Sequence, residues 1–360
     1  MSEATVVSGA GLTIGLDIGD RMSEVCVLDG EGVVLERGRV ATNAEAMRHR
    51  FGGARVLVAL ETGTHSAWIS ELLESLGHEV IVANPRKVRS ISVSDSKTDR
   101  FDAEQLARLA RVDRRLLSPV AHRDRATRAD LALVRSRGAL VRARTLLVNH
   151  VRDSLKSFGL RVRACSTAVF PRRAAWKIPR ELRAALIPLL RGIAELTTRI
   201  TAMERRIAEV GANRYPETQK LRLVDGVGAV TSLTFVLTLE DPRRFANSRA
   251  VGAYLGLRPR QRQSGARNPE LHITKAGDRD LRRLLVQSAQ YMLGPFGKDS
   301  DLRRAGLALA ARGGKSAKKR AIVAVARKLG VLLHRLWTSD EPYDPLRHAE
   351  GRNLPRRRRA

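Results

Sequence analysis

Four acidic residues in the first third of the chain have the types and spacing to bind divalent metal ions. Asp99 and Asp102 stand three residues apart in KTDRFDAEQLARL, at a predicted helix start, so their side chains share one helical face. Asp17 ends the predicted strand LTIGLD, and Glu61 ends the predicted strand ARVLVALE. Carboxylate oxygens are the usual protein ligands of Mg²⁺. Two such ions about 4 Å apart can activate a nucleophile and stabilise the leaving oxygen in phosphoryl transfer.

Each acid also has an explanation without chemistry. Asp99 could cap the helix and Asp102 could reach back to it, since a helix N-terminus favours both carboxylates. Asp17 could be a turn residue and Glu61 a surface residue. The pair at 99 and 102 taken alone favours the cap, whereas four acids in this order on these strands favour a metal site.

The elements that must position these acids form an α/β pattern. Residues 12–40 predict three consecutive strands with a hairpin turn at Asp29-Gly30. Two more strands, ARVLVALETG and HEVIVANP, follow, with helical stretches near 43–51 and 65–76. In an open α/β sheet the carboxyl ends of neighbouring strands meet at one edge, so the acids that end them should lie together. Residues 1–120 are expected to form this domain.

Four residues near the acids or of metal-binding type are not assigned to the site. Asp20 lies past Gly19, outside the strand, and is predicted to be a turn residue. His65 has no partner at ligand spacing and is predicted to start a helix. The two cysteines, Cys26 and Cys165, are too few for a zinc cluster and are expected to be packing residues in a reducing compartment.

The charge of the chain points to nucleic acid as a partner. Lys and Arg number 66 against 37 Asp and Glu, a net charge of +29 in 360 residues. Clustered cations gain free energy by releasing phosphate counterions, so nucleic acid is favoured over a membrane surface. No apolar run is long enough to span a membrane, and the N-terminus lacks a signal-peptide layout. Only 4% of residues are aromatic, which predicts that nucleic acid is held mainly by its backbone.

Residues 121–215 are expected to form a basic helical and coiled-coil region. Arginines repeat every seven residues, as Arg135 with Arg142 and Arg137 with Arg144. Such a stripe is usually a solvated face, but few acids balance this one, which favours phosphate contacts. Apolar residues in 182–210 alternate spacings of four and three, as in a coiled-coil seam. This favours association between chains through the second half of the stretch. An amphipathic helix that lies on its own domain is the alternative.

The remaining sequence predicts a mainly helical domain over 216–340 and a basic, disordered tail over 341–360. VDGVGAVTS resembles a helix-hairpin-helix turn, in which Gly226 and Gly228 would let backbone N–H groups approach a phosphate. A plain turn between helices is nearly as well supported. Lys275 stands just before a predicted helix that carries Arg282 and Arg283, which are predicted to contact a nucleic-acid backbone.

The order of GLDIGD, ALETGTHSAW and KTDRFDAEQLARL resembles the RuvC-like domain of the DEDD transposases of bacterial insertion sequences, the family numbered one hundred and ten. The stretch from VDGVGAVTS to LRRLLVQSA resembles that family's C-terminal transposase domain, so the resemblance covers nearly the whole chain. It implies an α/β RuvC-like (RNase H-like) N-terminal domain, a helical coiled-coil middle, and a mainly α C-terminal domain. It further implies that Asp17, Glu61, Asp99 and Asp102 bind Mg²⁺ or Mn²⁺.

The same resemblance implies recombination of donor and target DNA, guided by a structured bridge RNA. The family's serine nucleophile falls on Ser264 in RQRQSG. A neutral serine needs a base or a metal, and no histidine stands beside it, so the C-terminal domain is expected to complete a composite site with the acids. The flanking arginines would hold the scissile phosphate: Arg258, Arg260, Arg262 and Arg267. A homodimer or homotetramer is expected, in the cytoplasm and associated with the nucleoid.

Three functions compete at this stage. The first is an RNA-guided DNA transposase that forms a serine–DNA intermediate. The second is a metal-dependent RuvC-like nuclease, or a nucleic-acid-binding protein with a vestigial acidic site, neither of which forms a covalent intermediate. A sugar kinase is a remote third, since GLDIGD would need a second Asp-Gly phosphate turn and a kinase has no use for such a charge.

Overall fold

The computed structural model describes residues 11–85, 99–261, 271–314 and 316–348, except for the side chains of Asp99 and Arg100. The chain divides into two compact units, residues 1–123 and 124–360. Arg262, Ser264 and Arg267, which the sequence assigns to the site, lie outside the described residues, as does the end of the predicted tail from residue 349.

The first unit is built on a mixed five-stranded sheet. Its strands are β1 (Thr13–Asp17), β2 (Met22–Leu28), β3 (Val34–Ala41), β4 (Leu57–Glu61) and β5 (Glu79–Ala83). They lie in the order β3-β2-β1-β4-β5. The first three strands are antiparallel neighbours, and β4 and β5 continue the sheet parallel to β1. The predicted α/β class and hairpin are confirmed, and the sheet is consistent with an RNase H-like fold.

Helices cover both faces of this sheet. The two helices on one face are α1 (Ala44–Arg50) and α2 (Ser66–Ser75), which bury Met47 and Ile69 against apolar residues of the strands. The helix on the other face is α3 (Asp99–Val112), which buries Ala107 against Cys26 of β2. Because both faces are covered, β1 and β4 are continuous apolar runs in the sequence.

The second unit is helical. Its helices are α4 (Arg125–Ser157), α5 (Phe170–Ala175), α6 (Arg183–Arg214), α7 (Glu217–Leu221), α8 (Ala229–Leu239), α9 (Ser248–Tyr254), α10 (Arg279–Leu293), α11 (Asp301–Ala311) and α12 (Ala317–Thr338). The last six surround one apolar core, which includes Phe235, Leu285 and Leu329. None of the helices in the described part of the chain is long and apolar enough to cross a membrane.

The seam predicted over 182–210 packs within its own chain. Helices α4 and α6 form an antiparallel pair, since Leu131 near the start of α4 is buried with Ile207 near the end of α6. Ile200 is 3% exposed and Ile207 is 0% exposed in a single copy. The expectation that these residues join two chains is therefore wrong, and the alternative of packing within the chain is correct. The spacing predicts that the helix has a buried stripe, but it does not predict which helix covers that stripe.

Part of the predicted disordered tail is ordered. The backbone N–H of Asp301 donates to the Pro345 carbonyl at 2.8 Å, and the N–H of His348 donates to the Asp301 carboxylate at 2.9 Å. Glu341 forms ion pairs with Arg335 and Arg347. These contacts hold residues 341–348 against the helical core. The composition of the tail could not predict them, because the partners lie in distant parts of the sequence.

Candidate functional site

Two of the four predicted acids end neighbouring parallel strands. The register pairs Leu16 with Leu60, so Asp17 and Glu61 follow side by side at the carboxyl edge of the sheet. Neighbouring strands are about 4.8 Å apart, which brings the two acids to adjacent backbone positions. The structure thus places both acids at one edge, as the predicted strand order requires.

Both acids project from the face of the sheet that α3 covers. Side chains alternate along a strand, so Asp17 shares a face with Gly15, and Glu61 shares a face with Ala59. Gly15 and Ala59 both lie against α3. The helix that carries the other two predicted acids therefore lies on the face to which the strand acids point.

Gly15 allows an unusually close approach between β1 and α3. A Cβ atom added at Gly15 would lie 1.8 Å from the carbonyl oxygen of Ala103 and 2.8 Å from the backbone nitrogen of Ala107. Only glycine leaves room for a helix backbone at this distance. Because Ala103 follows Asp102 directly and Gly15 lies two residues before Asp17, the contact brings the segments that carry these acids together.

The direction of α3 brings its first turn to the same edge. Arg111, near the end of the helix, donates to the Gly30 carbonyl at 2.8 Å. Gly30 follows β2, whose last residue Leu28 pairs with Thr13 at the amino end of β1. The helix therefore ends near the amino edge of β1 and begins near its carboxyl edge, where the strand acids lie.

Asp102 is half-buried, and its carboxylate has no hydrogen-bond or ion-pair partner among the described residues. Asp99 is itself part of α3, and its side chain lies outside the described residues. Within the described side chains, no group of three His, Cys, Asp or Glu residues is close enough to hold a metal ion. The assignment of Asp99 to this site stays a prediction.

Glu104 anchors α3 to the sheet beside the site. Its carboxylate accepts from Arg37 of β3 at 2.5 Å and from Arg108 one turn later in α3 at 2.7 Å. The hydrogen bond from Arg37 lowers the pKa of Glu104 below its ordinary value of 4.5. The ion pair keeps the helix in register with the strands.

Sequence reasoning missed an acid next to Asp17. Glu24 of β2 pairs with Asp17 across the antiparallel ladder, so the two side chains lie on the same face. Glu24 is buried and forms an ion pair with Arg39 of β3. Only the register of the hairpin could have indicated this neighbour, and Arg39 balances its charge.

His65 also lies at this edge, directly before the first residue of α2, as its predicted place at a helix start requires. The indole N–H of Trp68 donates to its Nδ1 at 3.1 Å. A ring that accepts at Nδ1 carries its proton on Nε2, which lies 3.3 Å from the carboxylate of Asp20. Asp20 and His65 thus bind each other, and no described contact joins either to the four acids.

The Gly-Val-Gly turn opens onto a cleft in the second unit. Gly226 has φ +76°, and a Cβ there would lie 3.1 Å from both the Ser288 carbonyl and the Tyr291 ring. Gly228 precedes α8 and faces open space. The cleft, of about 910 Å³, lies between this turn, α10 and residues 298–300. The turn is thus accessible at Gly228, whereas Gly226 serves packing against α10.

The residues on either side of the segment that contains Ser264 are hydrogen-bonded to each other. The N–H of Arg260 donates to the His272 carbonyl at 3.0 Å, and that of Thr274 donates to the Arg258 carbonyl at 2.9 Å. Arg258 also donates to the Gln261 side chain at 2.8 Å. Both predicted phosphate-binding arginines in the described part of this segment are exposed on this short ladder.

Three of the residues predicted to contact nucleic acid follow this ladder in the sequence. Lys275 has a positive φ of 55°, a conformation that costs free energy in a residue with a side chain. Arg282 donates through one nitrogen to the carbonyls of Leu255 and Ala276, at 3.1 and 2.7 Å. This contact ties the loop to α10, so the structure gives Arg282 a structural role. Arg283 lies 3.5 Å from Asp280.

The arginine stripes of α4 contact polar side chains from distant parts of the chain. Arg137 forms an ion pair with Glu204 of α6, and Arg144 donates to the Thr197 hydroxyl at 3.2 Å. Arg135 lies 3.4 Å from Asp278. Glu204 therefore balances the charge of Arg137, whereas Arg144 meets only a neutral hydroxyl; both partners come from a distant part of the sequence, and phosphate contacts by these stripes stay a prediction.

Two family models match the chain, one in its N-terminal half and one in its C-terminal half. Residues 14–159 match the family model of IS110-type DEDD transposases, and residues 218–300 match the model described as the transposase IS116/IS110/IS902 family. The first match contains Asp17, Glu61, Asp99 and Asp102, and the second contains Ser264.

Curated relatives are similar over most of their lengths. A probable family 20 transposase of Pseudomonas aeruginosa is 32% identical over 81% of this chain and 86% of that protein. The transposase for insertion sequence element IS1328 of Yersinia enterocolitica is 30% identical over 77% of this chain and 82% of that protein. The transposase for insertion sequence element IS1111A of Coxiella burnetii is 28% identical over 92% of this chain and 90% of that protein. With acids at the carboxyl edge of a mixed sheet and both family domains in order, the chain belongs to the IS110 family of DEDD transposases and is a DNA transposase.

Proposed function

We propose that this transposase cuts and rejoins donor and target DNA under the guidance of a structured bridge RNA, through a covalent intermediate between Ser264 and DNA. Mg²⁺ or Mn²⁺ is held by Asp17, Glu61, Asp99 and Asp102. The observation that carries the proposal is the meeting of two strand ends and the first turn of α3 at one edge of the sheet.

The side chains at this edge have the chemistry that a divalent ion requires. Oxygen ligands suit Mg²⁺, and Asp102 has a carboxylate with no protein partner among the described residues. Carboxylates gathered at one edge repel one another, and a divalent cation between them would offset that repulsion. When bound, the metal ions would supply charge stabilisation for phosphoryl transfer.

Ser264 lies within the second family domain, in an arginine-rich stretch and directly before a glycine, which favours it over the serines at 232 and 248. The hydroxyl of Ser232 is buried and donates to the Gly228 carbonyl at 3.1 Å, and Ser248 bonds to His334 at 3.0 Å. In the proposed step the Oγ of Ser264 bonds to a DNA phosphorus and loses its proton, while one bond from that phosphorus to a deoxyribose oxygen breaks. The released oxygen takes up a proton, and attack by a hydroxyl of the second DNA strand frees the serine.

The charge of the chain supports a second nucleic-acid partner. A net charge of +29 suits binding to both DNA and RNA backbones, and the small number of aromatic residues is consistent with sequence reading by base pairing of an RNA. The active form is proposed to be a homodimer or homotetramer that acts on the nucleoid. Its interface lies elsewhere than the buried α6 seam.

Metal dependence is tested with Asp102→Asn. The variant should keep the melting temperature of the parent protein and lose DNA cleavage by at least about 100-fold, because it removes one ligand charge. Glu31→Gln is the matched control, since it removes one exposed negative charge at the far end of β2 and should cleave normally. Full cleavage by Asp102→Asn, or in the presence of EDTA, would remove the metal site from the mechanism.

The covalent step is tested by trapping the reaction and identifying the modified peptide by mass spectrometry. An adduct on Ser264 that is absent from Ser264→Ala and present in Ser157→Ala supports the serine mechanism. Ser157 is an exposed serine at the end of α4 and serves as the control. Cleavage without any adduct would instead support the alternative of a metal-dependent RuvC-like nuclease.

A further inference from the structure

The end of the α4–α6 pair carries an apolar side chain that nothing in the chain covers. Trp176 is 91% exposed, the highest value for a large apolar residue in the described part of the protein. Burying an indole removes a large apolar surface from water, so an uncovered tryptophan marks a contact surface. We call residues 158–183, which connect α4 to α6, the hairpin tip.

The hairpin tip has a packed base that holds Trp176 outward. Ala174 and Ile178 are buried, together with Phe170, against the ends of α4 and α6. Arg152 of α4 stacks on the Phe170 ring at 5.0 Å and donates to the Val162 carbonyl at 3.0 Å. Because its neighbours on both sides are anchored, Trp176 is presented on an ordered surface.

The hairpin tip is also strongly basic. It carries seven exposed cationic side chains and a single acid, Glu181: the cations are Arg161, Arg163, Arg172, Arg173, Lys177, Arg180 and Arg183. None of the seven forms an ion pair among the described residues, in contrast to Arg199 and Arg206 of α6, which pair with glutamates. Unpaired cations around an aromatic ring match a phosphate backbone with an accessible base.

We propose that the hairpin tip binds an unpaired loop of a structured RNA, with Trp176 stacked on a base and Arg172, Lys177 and Arg180 contacting the flanking phosphates. The inference rests on the proposed function in taking RNA as the partner. It adds a specific docking surface, outside both the acidic edge and the segment that contains Ser264.

Stacking geometry favours an RNA loop over duplex DNA. In a duplex each base face is covered by its neighbours, whereas loops of folded RNA present unstacked bases to aromatic side chains. A second copy of this chain is disfavoured as occupant of this surface, because it would have to bring several acidic side chains to seven unpaired cations.

The test measures binding of full-length protein, freed of nucleic acid in high salt, to a hairpin RNA with an unpaired loop. The comparison probes are a fully paired RNA duplex and a DNA hairpin of the same sequence. Trp176→Ala should weaken binding of the RNA hairpin about 5- to 150-fold, the range of base–aromatic stacking, with little effect on the duplex. Trp176→Phe should restore most of the affinity, which shows that the ring is the group required.

A charge-matched pair of variants tests the phosphate contacts. Arg172→Gln with Arg180→Gln should weaken binding of the RNA hairpin and flatten its salt dependence. Arg199→Gln with Arg206→Gln removes the same charge from paired positions on α6 and should change binding less. Equal losses of affinity from the two double variants would show that RNA binding depends only on the overall positive charge of the protein. That result would overturn the proposal.

Other outcomes identify what has failed. Undiminished affinity of Trp176→Ala for the RNA hairpin, or an equal loss on the duplex or the DNA hairpin, overturns the RNA-loop assignment. Loss of self-association in sedimentation, with RNA binding unchanged, makes the surface a protein interface instead. If the parent protein binds none of the RNA probes and co-purifies with no RNA, the guide function fails as well.

Discussion

Gly15→Ala should disable the transposase without touching any acidic residue. The added Cβ would lie 1.8 Å from the Ala103 carbonyl oxygen, where an ordinary contact is 3.4 Å or more, so the helix must move by about 1.6 Å. That movement carries Asp102, the neighbour of Ala103, away from Asp17. A misplacement of about 1 Å at a reacting centre costs about 100-fold in rate.

The assay is metal-dependent cleavage of donor DNA, read beside thermal unfolding. We expect cleavage to fall at least about 100-fold and the free energy of unfolding to fall by about 1–3 kcal/mol, the usual cost of overpacking. Gly30→Ala is the control, because a Cβ at Gly30 meets no atom within 4 Å. It should change neither quantity.

Parent-like cleavage by Gly15→Ala would refute the claim that the approach of α3 to β1 sets the geometry of the acids. Loss of stability alone, with the cleavage rate of the folded fraction unchanged, would show that the contact supports the fold and not the site.

Three further predictions follow from the surroundings of single side chains. Ile207→Lys should lower the free energy of unfolding by at least about 3 kcal/mol, measured by denaturant titration, because an ammonium group would enter an apolar cluster; dissociation of an oligomer without destabilisation would contradict this. Cys26 should react with a thiol reagent far more slowly than the half-buried Cys165, because burial raises the pKa of the Cys26 thiol. Equal reaction rates, measured by mass spectrometry, would show that β2 detaches far enough to expose Cys26. Glu104→Gln should destabilise the protein at neutral pH, and the difference should shrink as pH falls below 4.5, since the pKa of Glu104 is lowered in the folded state; a gap that persists in acid would point to packing.

The first unit could be predicted well because its signals are local. Apolar runs that end at Asp17 and Glu61 locate two central strands, and the turn at Asp29-Gly30 locates the hairpin. Helices α1 and α2 lie within a residue or two of the stretches expected near 43–51 and 65–76. Each of these features depends on neighbours in the sequence.

Features that depend on distant residues were not predictable in the same way. A spacing of seven shows that Arg137 and Arg144 share a face of α4, but not that Glu204 and Thr197 of α6 lie opposite them. The alternation of four and three shows that Ile207 is buried, but not that its own α4 covers it. Periodicity defines a face, and only packing decides what meets it.

The sequence by itself determined the chemistry available to this protein: the four acids, their places at strand ends and a helix start, the family they resemble, and a charge suited to nucleic acid. Only the tertiary structure decided the distances between these groups. The lack of a side chain at Gly15 matters because α3 crosses β1 at that residue. Trp176 matters because the residues around it are buried or charged and leave its ring in solvent. In both cases the reason is steric, and steric contacts exist only between segments that the fold has brought together.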